Sequence, residues 1–272
     1  MKFRMGRVTG CIMAFATVLF LAGRNRVRAG KDRRNECKTN GDKKEITGII
    51  AAMESEIKDI WSRMKVERID TGAGMKFKQG TIGGRPVIAA LSGIGKVNAG
   101  VCAQIMISRF GVSQMINTGV AGSLTESLGI GDFVVSTDVL QHDFDVTAAG
   151  SRPGEIPLIN KVCFSADKKL RDSATAAIRS VVPDALVQEG RICTGDQFIT
   201  TAEQVRRITD QFGGLCCEME GGAVAQVCYL NDIPFVVIRT ISDSSDGMLN
   251  KEVQARVTEK CAEAVLTMVT EM

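Results

Sequence analysis

Glu56, Glu220 and Asp243 stand in the frames IIAAMESEI, CCEMEGGA and FVVIRTISDSSDG. Each lies at or just beyond the end of a run that reads as a buried strand or a tightly packed helix. Carboxylates occupy such points when they are paired or put to use, because burying an unpaired charge is costly. The end of a strand in an α/β sheet is also where ligands usually bind. Three convergent carboxylates in a chain with a single histidine suit acid–base chemistry on a neutral or cationic organic substrate. One histidine excludes a His-rich metal centre, and neither a metal nor a cofactor is expected.

These groups need a scaffold, and the hydrophobic patterning supplies one. ITGIIAAM reads as a strand and ESEIKDIWSRMK as the helix after it, with Ile57, Ile60, Trp61 and Met64 on one face. KFKQGTIGGRPVIAALSG reads as two strands joined at Gly83-Gly84, and VNAGVCAQIMISRFG as a helix stopped by Gly111. SQMINTGVAG is a buried strand running into a glycine turn, and GDFVVSTDVLQHDFDV is a further strand. Residues 150–165 read as a loop or flap. GRICTGDQFI is a strand ending in a turn, with Thr200 or Thr201 capping the next helix. MEGGAVAQVCYLND reads as a helix and PFVVIRTISD as a strand. The final helix, Lys251 to Met272, carries an apolar stripe of Val253, Val257, Cys261, Ala264 and Met268. The alternation predicts an α/β fold, a single domain with a central mixed β-sheet flanked by helices, over residues 46–272.

The formal charge of +3 misleads. Residues 1–45 hold 12 basic and 4 acidic side chains, leaving 22 basic and 27 acidic in the rest. A mildly acidic domain gives no electrostatic case for nucleic acid. In the leader, Lys2, Arg4 and Arg7 precede the uncharged run Val8 to Gly23, and basic residues follow from Arg24. Residues 1–29 therefore read as a signal peptide or membrane anchor and 30–45 as a charged linker, so any membrane contact runs through this segment alone. Nine cysteines without a CxxC pair read as buried free thiols, which favour a reducing, cytoplasmic compartment and pull against export.

SGIGK (Ser92 to Lys96) is not a phosphate loop: Ala90 stands where the first glycine belongs and Val97 replaces Ser or Thr. It reads as a strand-to-helix turn that lets backbone approach a ligand. In NTGVAG, Gly119 and Gly122 flank two small residues and would let the chain lie close to a flat ligand. HDFDV (His142 to Val146) reads as a loop network. Together and in this order, GIIAAMESEI, SGIGKVNA, INTGVAG, HDFDVTA, GDQFI, EMEGGAVAQVC and PFVVIRTISD resemble the nucleoside phosphorylase superfamily. Within it they are most similar to the 5′-methylthioadenosine/S-adenosylhomocysteine nucleosidases, over residues 46–272.

That resemblance implies a nucleoside phosphorylase-like fold and an N-glycosyl hydrolase that releases adenine from an adenosine thioether. Glu56 would activate water beside Met53 and Arg239. Glu220 with Met219 would grip the ribose hydroxyls, and Asp243, oriented by Ser242, would protonate purine N7. Phe198 would stack on adenine, the Ile199 backbone would read its edge, Ala121 and Gly122 would lie along purine and ribose, and Ile94 near the 5′ substituent. Related phosphorylases carry an Arg for phosphate where this chain has Asn117, which favours hydrolysis. Val120, Ala149 and the short segment SSDGMLNKEV, with Met248 or Leu249 in place of a Phe, depart from the family pattern on the 5′ side. They leave the choice among methylthioadenosine, adenosylhomocysteine and 5′-deoxyadenosine open. A homodimer is expected if the 5′ pocket is completed across an interface. The rival readings are a purine nucleoside or methylthioadenosine phosphorylase and an exported surface-binding protein on the same fold.

Overall fold

The computed structural model describes residues 45–243 and 251–272, with the side chains of Asp243 and Lys251 excepted. The leader and linker, Met248 and Leu249 lie outside the described residues. Ten strands and six helices follow in the order β1 (Thr47–Ala51), α1 (Glu54–Arg63), β2 (Lys65–Gly72), β3 (Met75–Ile82), β4 (Arg85–Leu91), α2 (Lys96–Phe110), β5 (Gln114–Ser123) and β6 (Phe133–Gln141). Then come β7 (Cys163–Ser165), α3 (Lys168–Val181), β8 (Val187–Thr194), α4 (Ala202–Phe212), β9 (Cys216–Glu218), α5 (Gly221–Leu230), β10 (Phe235–Asp243) and α6 (Lys251–Glu271).

All strands belong to one mixed sheet in the order β10-β6-β8-β9-β5-β1-β4-β3-β2, with β7 on β6. Because β10 also pairs with β5, the strands β5, β10, β6, β8 and β9 close on themselves. The central strands β1, β5 and β10 run parallel, so their C-terminal ends share one edge. Helices cover both faces, as the uninterrupted apolar runs of such strands require. Ile57 and Ile60 of α1, Ala174 and Ile178 of α3 and Val265 of α6 bury one face. Ala103 and Met106 of α2 with Val224 and Cys228 of α5 bury the other. Of the seven cysteines among the described residues, all but the half-buried Cys163 are sequestered in the interior.

The α/β architecture, the Gly83-Gly84 hairpin and the Gly111 stop agree with the sequence reading. Gly111 sits at φ 67° as the C-cap of α2, a conformation that favours glycine. Thr201 caps α4, its hydroxyl accepting from the Gln204 N–H.

Other expectations need correction. NTGVAG is not a turn. Residues 117–122 continue as strand because β10 pairs with β5 as far as Gly122 and β9 pairs with Gly122 and Ser123. Residues 150–165 are not wholly loop, since Ile156 bridges Lys161 and β7 pairs with Val139 at Phe164. The elements β2, α3 and β9 have no counterpart in the pattern reading.

Candidate active site

The catalytic candidates lie where the parallel strands end. Just beyond β1, Met53 is the N-cap of α1 and Glu56 its third residue. A glutamate there can reach back over the helix start. Glu56 Oε2 accepts from the Ala52 N–H (3.0 Å) and the Met53 N–H (2.9 Å), and Oε1 accepts from the Val120 N–H of β5 (3.0 Å). The contact with β5 is possible because residue 119 is glycine: a Cβ there would stand 2.6 Å from Oε1. Three amides thus fix a carboxylate that is only 5% exposed. Burial pushes its pKa above the usual range, against the pull of Arg239 and the three amides.

Across the cavity, β9 and the start of α5 carry two more carboxylates. Glu218 accepts from the N–H groups of Glu220 (3.0 Å) and Gly221 (2.7 Å), from the Thr194 hydroxyl and from the Arg239 guanidinium. The two amides belong to the N-terminus of α5, where an anion is favoured. Arg239, 1% exposed on β10, also donates to Asn117 Oδ1 (2.6 Å) and lies 3.9 Å from Glu220 Oε2. Asn117 in turn donates to the Ile50 carbonyl (3.1 Å). Glu220 accepts a single described hydrogen bond, from the Gly95 N–H (2.9 Å) in the SGIGK turn. Burial and the adjacent Glu218 raise its pKa to about 7, against Arg239 and the Gly95 amide.

An ionised carboxylate has about four lone-pair sites. Glu218 meets four donors within the described fold, three on Oε2 and one on Oε1, while Glu56 meets three and Glu220 one. Glu218 is therefore an internal counter-ion, Glu56 has room for one small donor, and Glu220 can accept from several.

One cavity brings these groups together with Met53, Ile94, Ala121, Gly122, Phe198, Ile199, Met219 and Ser242, all expected at the site. Arg239 does not line the cavity; it stands behind it, and its hydrogen bonds go to Asn117, Ile238 and Glu218 rather than to Glu56. The backbone of Asp243 pairs with Gly122 at the same edge, while its side chain lies outside the described residues.

Ala52, Val120, Gln197, Cys217, Glu218 and Gln254 also line the cavity and were not among the expected site residues. Glu218 had a signal. It precedes Glu220 by two residues, a spacing that puts both on one side of an extended chain, and the Arg inside FVVIRTISD needs a buried partner. Gln254, on the last helix, had none. As a loop network, HDFDV agrees with expectation: Asp143 pairs with Lys96 at 2.6 Å and accepts from the Asp196 N–H at 2.8 Å.

The chain matches the family model described as the phosphorylase superfamily over residues 46–270. A 5′-methylthioadenosine/S-adenosylhomocysteine nucleosidase of Shewanella loihica is 40% identical over 201 residues, 74% of this chain and 86% of the relative. One from an Exiguobacterium species is 42% identical over 205 residues, 75% and 87% of the two chains. Among solved structures, the nucleosidase of Neisseria meningitidis in complex with methylthio-immucillin-A has a TM-score of 0.80 at 34% identity, covering 84% of this chain and 100% of that one. The futalosine hydrolase of Helicobacter pylori has a TM-score of 0.79 at 31% identity, covering 84% and 99%. The chain belongs to the phosphorylase superfamily and, within it, to the 5′-methylthioadenosine/S-adenosylhomocysteine nucleosidase family.

Proposed function

We propose that this enzyme hydrolyses the N-ribosidic bond of 5′-methylthioadenosine and S-adenosylhomocysteine, releasing adenine. The observation that carries the reading is the Glu56 carboxylate, held by three backbone amides at the wall of the cavity with one acceptor position open. A water held there loses its proton to Glu56 as its oxygen bonds to the anomeric carbon. The bond from that carbon to the purine breaks, and Asp243, oriented by Ser242, protonates N7 so that the base leaves neutral. Positive charge building on the sugar is stabilised by the carboxylates around it. Glu220, with three acceptor positions open, takes the ribose hydroxyls beside Met219. Phe198 and the Ile199 backbone hold the purine, Ala121 and Gly122 flank it, and Ile94 meets the 5′ substituent.

Hydrolysis is favoured over phosphorolysis by charge. Among the described residues the cavity is lined by Glu56, Glu218 and Glu220 and by no Lys or Arg. Arg239 is committed to Asn117 and Glu218. Phosphate would meet three carboxylates and no available cation. Chromatography of the products formed from methylthioadenosine in phosphate-free buffer tests the assignment. Adenine and methylthioribose are expected; release that depends strictly on added phosphate would make the protein a phosphorylase instead.

We also read the start of α2 as a self-association surface. Ile94, Val97 and Val101 are 53%, 76% and 39% exposed there, and Ile94 lines the cavity together with Phe198. Sedimentation should give a homodimer that Val97→Glu disrupts.

A further inference from the structure

Beside segments that line the cavity lies a ring of charged groups that the proposed hydrolytic chemistry does not use. Lys96, the first residue of α2, sends its ammonium to Asp143 Oδ1 at 2.6 Å, with both side chains mostly buried. The other oxygen of Asp143 accepts from the Asp196 N–H at 2.8 Å. The Asp196 carboxylate closes the circuit by accepting from the Lys96 N–H, also at 2.8 Å. Two further contacts seat the same stretch: the His142 N–H donates to the Thr194 carbonyl and the Gly195 N–H to the Glu218 carbonyl. The approach is close enough that a Cβ on Gly95 would lie 3.2 Å from Asp196 Oδ1.

The ring joins two parts of the site that come from distant stretches of sequence. Asp196 immediately precedes Gln197, Phe198 and Ile199, which line the cavity. Lys96 immediately follows Gly95, whose N–H is the one described donor to Glu220. We propose that Asp143 is a positioning residue, which through Lys96 and Asp196 holds the purine-facing loop 195–199 against the turn that aims Gly95 at Glu220. Asp143 touches no cavity atom itself; it does not line the cavity. Burial works against its charge, but the Lys96 ammonium and the Asp196 amide outweigh it and keep the carboxyl below the usual range. A salt bridge this sheltered is screened less than one on the surface. Breaking it loosens the base-binding loop before it disturbs Glu56, which is anchored by Ala52, Met53 and Val120 and owes nothing to the ring.

The inference rests on the purine-binding reading of Phe198 and Ile199, and the experiment keeps the two separable. Adenine is titrated by calorimetry into the full chain, and kcat and KM are measured with methylthioadenosine, for wild type, Asp143→Ala, Asp143→Asn and Lys96→Met. Asp143→Ala should raise KM and the adenine Kd together by roughly tenfold while kcat stays within about threefold, since uniform binding is what is lost. Asp143→Asn, which keeps an acceptor for the Asp196 amide, should restore most of the affinity. Lys96→Met gives a second reading should Asp143→Ala fail to fold, with a smaller rise in both expected, since Asp143 still accepts from the Asp196 amide. Unchanged KM and adenine Kd in a folded Asp143→Ala or Lys96→Met protein, or a fall in kcat at constant KM, overturns the positioning role. Failure of wild type to bind adenine overturns the purine reading instead.

Discussion

Replacing Gly119 with alanine adds one methyl group, and the structure says where it goes. The new Cβ would stand 2.6 Å from Glu56 Oε1, 3.1 Å from its Cδ and 3.4 Å from Oε2, whereas 3.4–4 Å is ordinary contact. The backbone does not resist, because Gly119 lies in β5 outside the positive-φ region. The strain falls on the carboxylate, which must retreat by about 0.8 Å to restore ordinary contact. A retreat of that size takes Oε1 from 3.0 Å towards the limit of a hydrogen bond with Val120. Losing one charge-assisted bond costs about 1.5–3 kcal/mol, which for a domain of this size lowers Tm by roughly 3–12 °C. Misplacing the water-activating group by nearly 1 Å should cost about 10²-fold in kcat. The assay is adenine release from methylthioadenosine, paired with a thermal melt. Gly100→Ala is the control: its Cβ would meet Val227 and Ala223 at 3.8 and 3.9 Å, so kcat should hold and Tm should stay or rise by the helix gain of Gly→Ala. Full turnover in Gly119→Ala would refute the claim that activity depends on the carboxylate position set by Val120.

Glu56→Gln keeps the shape but not the basicity, so hydrolysis should fall by about 10²–10⁴-fold while adenine binding, measured by calorimetry, persists. Asp243→Asn should show a loss of the same order, and wild-type adenine release from it would remove the assigned general acid. Arg239→Met strands Glu218 without its cation, and equilibrium unfolding should show a loss of roughly 3–5 kcal/mol, the cost of breaking a buried pair. The Glu220 pKa of about 7 lies above the ordinary 4.5, so the folded state binds the extra proton between those values. Stability from this group is therefore highest at low pH and falls by at most about 3 kcal/mol as pH rises through that window. Over the same window kcat/KM should rise, because ribose hydroxyls need the ionised acceptor; Glu220→Gln should flatten both slopes in pH-dependent melts and rate profiles.

What was legible in the sequence divides along physical lines. The parallel strands β1, β5 and β10 are covered on both faces and read as largely apolar runs, with Glu56 just beyond the first and Asp243 ending the last, so the site edge could be found. The strand β2 could not, because it is an edge strand with five successive exposed residues, Lys65 to Ile69. Its charged surface, Lys65, Glu67 and Arg68, is how such edges avoid pairing with other chains. It is held by its ladder with β3 and by Asp70, which accepts from Gln79 of β3 and pairs with Arg109 of α2. The helix α3 was visible in principle. Asp167 accepts from the Leu170 N–H as a cap, and Leu170, Ala174, Ala177 and Ile178 recur at helical spacing. Two of the four are alanines, so the stripe is faint until α6 is packed against it. The glycines of NTGVAG read as a turn that lays backbone along a flat ligand, whereas Gly119 lies in a strand and its missing Cβ makes room for Glu56: sequence shows that a Cβ is missing, not which neighbour occupies the space.

The deeper difficulty concerned which glutamate does what. EMEGG offers two carboxylates two residues apart, equivalent as sequence, and only their neighbours separate them. Glu218 meets the start of α5, Thr194 and Arg239, with three of its four donors gathered on Oε2. Glu220 remains nearly unsatisfied beside it, because Arg239 carries charge for both, in contact with one and 3.9 Å from the other. A half-satisfied carboxylate costs stability in an interior, and the raised pKa of Glu220 is that cost in measurable form. The fold tolerates it at the one place where an incoming diol would supply the missing donors. On this view the buried Glu218–Arg239–Asn117 array is what permits a buried acceptor to wait for substrate. Glu56 follows the same rule with one position open rather than three, matching one water rather than two hydroxyls. The charge and donors each carboxylate meets, more than the presence of acidic residues, distinguish Glu218, bonded to Arg239, from the two groups proposed to act on substrate.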